Sequence, residues 1–92
     1  MTQDKTQIEN FGKVKWKCRR GMLELDIMLQ LFFDNNYSNL STQHQINFNR
    51  LLDETDPVLY QWLLGFTVPE DKELAQIVKI IINWSRTTEL KE

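Results

Sequence analysis

The chain has 92 residues, with 11 bases against 13 acids and a net charge of −2, which fits one domain and leaves no room for two. Its hydrophobic fraction of 41% and three tryptophans exclude a disordered chain, and the mild negative charge argues against a nucleic-acid module, which is normally basic overall. A single cysteine, Cys18, excludes a disulfide framework and points to a reducing compartment.

A chain of this size buries only about 60–65% of its unfolded surface, so its core must be efficient. No apolar run approaches the ~20 residues that span a bilayer. The first ten residues carry Asp4 and Glu9 and lack an apolar core, unlike a signal or transit peptide. A cytoplasmic location with no membrane contact is expected.

Residues 1–7 are polar and are expected to fray. A first helix is predicted over about Ile8 to Arg19, with Ile8, Phe11, Val14 and Cys18 as its inner stripe and Trp16 off it. The bases Lys13, Lys15, Lys17, Arg19 and Arg20 crowd its end, where cations favour the helix dipole. Gly21 makes the turn, with a left-handed backbone as the expected conformation.

A second helix, Met22 to Asn36, is the most apolar and is expected at the centre. At ~100° per residue, Asp26, Gln30 and Asp34 share one polar arc. Glu24 points instead with Met28 and Leu31, toward the expected core. A buried carboxylate there needs a partner, and Arg20 and Arg19 are the nearest cations. Two readings follow. One is a structural ion pair at the junction. The other is a docking surface formed by Arg20, Gly21 and Glu24.

Asn35 to Asn39 breaks the pattern. The third helix starts at Ser41 or Thr42 and buries Ile46, Phe48, Leu51 and Leu52. Asp56-Pro57 restarts the chain, with Asp56 as N-cap and Pro57 as first helical residue. The fourth helix buries Leu59, Trp62, Leu63 and Phe66, and Gly65 lies near its end. Glu70, Asp71 and Glu73 open the fifth, with Leu74, Ile77, Val78, Ile81 and Trp84 as its stripe, widened by Ile80 and Ile82. Residues 87–92 form a polar tail. No period-two alternation appears. The reading is an all-α domain, a small five-helix bundle.

Catalytic signals are weak. One His and one Cys do not make a metal site, and no phosphate loop or dinucleotide fingerprint is present. His44 is expected at the surface. Cys18 lies beside Arg19 and Arg20, which would lower its pKa, but a packed thiol is the better reading. Glu24 and Asp26 are two residues apart and diverge on a helix. A binding module fits better than an enzyme.

The motif Arg20-Gly21-Met22-Leu23-Glu24 reads R-G-x-x-E. With Trp16-Lys17-Cys18-Arg19 before it, Leu25-Asp26-Ile27 after it, and Leu51-Leu52-Asp53 leading to Asp56-Pro57 and Trp62-Leu63, the chain resembles the succinate dehydrogenase FAD assembly (flavinylation) factors, SdhE-like, over about residues 14–64. Val58 departs from the acid often found there. The resemblance implies a cytoplasmic, monomeric five-helix factor without catalysis of its own and with no stably bound cofactor. It implies binding to the flavoprotein subunit of succinate dehydrogenase or fumarate reductase and promotion of covalent FAD attachment there. It implies partner-binding residues Arg20, Gly21 and Glu24, with Arg19 and Asp26 as neighbours, and so favours docking at the motif. An antitoxin of a small toxin–antitoxin pair and another helical adaptor are the alternatives. A nucleic-acid module using residues 13–20 is a third, distinguished by steep salt dependence.

Overall fold

Apolar residues at helical spacing, cut by polar turns, give five helices in the computed structural model, which describes residues 11–87. They are α1 (residues 11–17), α2 (Leu23–Asn36), α3 (Thr42–Leu52), α4 (Asp56–Leu63) and α5 (Lys72–Thr87), with a 3₁₀ turn at Tyr37–Asn39. Among the described residues there is no strand. Ile8 and most of both expected tails lie outside the described residues, although α5 keeps Thr87.

The core is an aromatic and aliphatic centre shared by all five helices. Leu25, Leu29, Phe32 and Phe33 of α2 meet Phe48, Leu51 and Leu52 of α3, Leu59 and Leu63 of α4, and Ile77 and Ile81 of α5. Phe33 stacks on Tyr37 at 4.8 Å between ring centres, and Phe32 lies 5.6 Å from Phe48. Tyr37, set in a stretch expected to be a polar break, is buried, and its hydroxyl accepts from Asn49 Nδ2 at 3.0 Å. Val14 and Cys18 anchor α1 as expected. Phe11 only half-enters, leaning on Phe33 at 4.7 Å with 44% of its surface exposed.

The start of α3 agrees with the sequence reading, and that of α4 departs from it. Ser41 is the N-cap of α3, accepting from the His44 amide at 3.1 Å. His44 is half-buried rather than exposed. Thr55, not Asp56, holds the N-cap position of α4; Asp56 is the first helical residue and its side chain is engaged elsewhere. Two inner positions also fail. Ile46 is 48% exposed, because α3 turns Asn47 and Phe48 inward instead. Phe66 is exposed because α4 stops first. Gly65, at φ +85°, donates to the Trp62 carbonyl while Phe66 N–H donates to the Gln61 carbonyl. That bonding pair closes a helix with a left-handed glycine and sends the chain away from its own stripe.

At the start of α5, Asp71 Oδ1 accepts from the amides of Glu73 and Leu74 at 2.9 and 3.1 Å. Arg50, in the last turn of α3, bonds the same Asp71 at 2.7 Å and Glu73 at 3.0 Å. These contacts hold the two helices end to end.

Candidate functional site: the junction between the first two helices

α1 finishes with the Cys18 amide shared between the Val14 and Lys15 carbonyls and the Arg19 amide on the Trp16 carbonyl. The three successive amides of residues 20–22 then make no helical bond and all reach carboxylates. Arg20 N–H donates to Asp26 Oδ1 at 2.8 Å. Gly21 and Met22 N–H donate to Asp56 Oδ2 at 3.1 and 3.3 Å. Met22, the N-cap of α2, supplies no side-chain cap. Asp56, from another helix, takes that place, where the dipole of α2 favours an anion.

The Arg20 guanidinium lies on the other side of Asp56, 3.2 Å from Oδ1. It also donates to the Lys17 carbonyl at 3.1 Å, the Glu54 carbonyl at 3.1 Å and the Leu52 carbonyl. Lys17 ends α1 and Leu52 ends α3. One cation therefore sits at two helix C-termini, and its partner anion sits at the N-termini of α2 and α4. A planar fork with several donors suits this better than an ammonium would.

Glu24 takes no part. It is exposed, and the ion pairs expected for it go to Asp56 and Asp26 instead. The core face of α2 is the stripe Leu25, Leu29, Phe32 and Phe33, about a third of a turn from Glu24 at ~100° per residue. Met28 and Leu31 are only half-buried. The helix is apolar on most of its circumference, so periodicity alone could not select the face. Gly21 is corrected too. It lacks a positive φ, which among the described glycines belongs to Gly65 alone. A Cβ on Gly21 would lie 3.6 Å from Asp56 Oδ2, an ordinary contact.

Asp26 is held below its ordinary carboxylate value of 3.8, first by the Arg20 amide and then by the Gln30 side chain, with the Arg19 charge adding to both. Arg19 lies 4.0 Å from Asp26 and 5.9 Å over the Trp16 ring. The polar arc of α2 thus faces α1: Asp34, at its far end, pairs with Lys15. Cys18 is fully buried, and burial pushes its thiol up to about 12 despite nearby Lys15 and Arg20. It packs rather than reacts.

Around this rigid centre the surface is apolar and open. Trp16, Leu23 and Ile27 are 71%, 70% and 47% exposed. The sequence sets Trp16 off its helix stripe and marks Asp56 as a helix start, but it neither brings Asp56 to this junction nor sets Leu23 and Ile27 on its open surface. For Leu23 and Ile27 the spacing held no signal, because apolar residues lie on every side of α2 and only the packed structure shows which stripe is buried. For Asp56, thirty-five residues from Gly21 in sequence, local pattern holds no signal. Among the described residues no cluster of His, Cys, Asp or Glu could hold a metal ion. No described helix is long and apolar enough to cross a membrane.

A family model described as "Flavinator of succinate dehydrogenase" matches residues 12–85. The chain belongs to this family. It is 49% identical over 69 residues to the FAD assembly factor SdhE of Coxiella burnetii, covering 75% of this chain and 84% of the relative. It is 47% identical over 72 residues to that of Shewanella oneidensis, covering 78% and 88%. The solution structure of a UPF0350 protein superposes with a TM-score of 0.75 at 35% identity, over 91% of this chain and 90% of that one.

Proposed function

We propose that this chain, an assembly factor for the flavinylation of succinate dehydrogenase, meets the flavoprotein subunit with the junction face: Glu24, Gly21 and Arg19, bordered by Trp16, Leu23 and Ile27. The observation that carries this reading is the split inside the motif. Arg20 is committed to helix ends, whereas Glu24 is exposed with no partner among the described residues. An exposed carboxylate beside exposed apolar side chains, on a backbone fixed by Asp56 and Asp26, is a preorganised docking surface. Arg20 and Asp26 hold that surface in shape. Gly21 leaves it low enough for close approach by a partner backbone.

The factor works as a monomer in the cytoplasm, without chemistry or a stably bound cofactor of its own, and the fumarate reductase flavoprotein is a second client. It binds the client so that the client's own groups and its FAD are oriented for covalent attachment, where orientation lowers the barrier. The test is Glu24→Ala. Its melting behaviour should match the parent within the ~0.5 kcal/mol typical of surface sites. Covalent flavin on the client, read by in-gel fluorescence, should fall. A folded Glu24→Ala variant with full flavinylation would remove Glu24 from the face.

A further inference from the structure

α5 buries Leu74, Ile77, Val78 and Ile81 on one side. Away from that stripe stand Lys72, Lys79 and Arg86, all exposed and each seven residues from the next. Seven residues are close to two helical turns, so the three cations form one row at intervals of about 10.5 Å. The row borders a groove of about 700 Å³ between α5, the end of α4 and residues 67–69. Trp62, Val68 and Ile82 give the groove an apolar floor, and Val68 is 75% exposed. Among the described residues no acidic side chain lines it. Elsewhere among the described residues Lys15, Lys17, Arg19, Arg20 and Arg50 face carboxylates and Lys13 alone does not. Lys72, Lys79 and Arg86 make no ion pair among the described residues.

We propose that this groove receives an amphipathic helix of a protein partner, with carboxylates recurring every seven residues beside an apolar stripe. A helix laid along α5 repeats at the same interval as the cation row, so each carboxylate meets one cation while the apolar stripe covers the floor. The chain's net charge of −2 works against a nucleic acid or an anionic bilayer as the occupant. The groove lies at the C-terminal end of α4, and Asp56 of the motif junction lies at the N-terminal end. Its occupant therefore does not depend on the docking assigned to Glu24.

The probe is a synthetic helix-forming peptide of about 18 residues with glutamate at every seventh position and leucines beside it. A second peptide carries lysine in place of glutamate. Binding is followed by amide chemical shifts of the full chain. The glutamate peptide should move resonances of Trp62, Val68, Lys79 and Arg86, and raising salt should weaken it. The variant Lys72→Glu/Lys79→Glu/Arg86→Glu should bind about tenfold more weakly, while Gly21→Arg should bind as the parent does. Should the triple variant lose its helical signal, Lys79→Glu alone carries the test, and an unchanged affinity overturns the proposal. Equal binding of the lysine peptide, shifts confined to other surfaces, or no binding at about 1 mM peptide also overturns it. So does tighter binding to phosphatidylglycerol vesicles or to a single-stranded oligonucleotide than to the peptide.

Discussion

Arg20 and Arg50 both tie helix ends together through carboxylates, but in different surroundings. The Arg20 side chain is 12% exposed and spends its donors on three backbone carbonyls as well as Asp56. The Arg50 side chain is 42% exposed and, among the described residues, meets Asp71 and Glu73, both solvated. Water competes for every bond of Arg50 and for few of Arg20. The same pair of residue types is thus a structural tie in one place and a surface clamp in the other. The difference bears on the proposed docking, because Arg20 and Glu24 belong to one motif yet only Glu24 is left exposed. Loss of Arg20 would act through folding, whereas loss of Glu24 would act through contact.

The largest expected effect is Arg20→Ala. It takes the cation from Asp56, which keeps only the Gly21 and Met22 amides, and leaves the carbonyls of Lys17, Leu52 and Glu54 without their donor. Breaking a fully buried pair costs roughly 3–5 kcal/mol, and this partly buried one should approach the lower end of that range. Chemical denaturation should show this as a lowered midpoint with an unchanged slope. Arg20→Lys should recover only part of it, since an ammonium cannot reach the same fork of acceptors. Full stability in Arg20→Ala would erase the contrast with Arg50.

Asp56→Ala comes next, at about 2–4 kcal/mol. It frees the Gly21 and Met22 amides and uncaps α2, so hydrogen exchange should quicken across 21–25 before the rest of the chain. An increase confined to α4 would instead mean that Asp56 acts on its own helix alone.

Acid provides a smaller and more graded test. The folded pKa of Asp26 is depressed by the Arg20 amide, and that of Asp71 by the Arg50 side chain. A depressed carboxylate stabilises above its unfolded value, here 3.8, and this contribution disappears as pH falls through the folded value. Stability should therefore decline below about pH 4, and Asp26→Asn and Asp71→Asn should each flatten that decline. An unchanged acid limb in both variants would sink the assignment.

The smallest effect is expected for Arg50→Ala. Its midpoint should move little, and the shift should vanish in high salt because both partners are exposed. A loss as large as that of Arg20→Ala would show that exposure does not separate the two.

The helices, their order and most of their inward faces were legible in the sequence, because each of these rests on spacing within about fifteen residues. Leu74, Ile77, Val78 and Ile81 repeat at helical intervals and are buried as expected. The motif was legible too, as a run of residues. What each motif residue does was not. Apolar residues occur on every side of α2, so only the neighbours packed against it decide that Leu25 and Leu29 turn inward while Glu24, Leu23 and Ile27 face out. The partner of Arg20 was sought four residues away and lies thirty-six away, in Asp56. A local pattern carries the period of a helix and the chemistry of its ends. Which helix end meets which is set by burial of the shared core, and that pairing turned Arg20 into a support and left Glu24 on the surface.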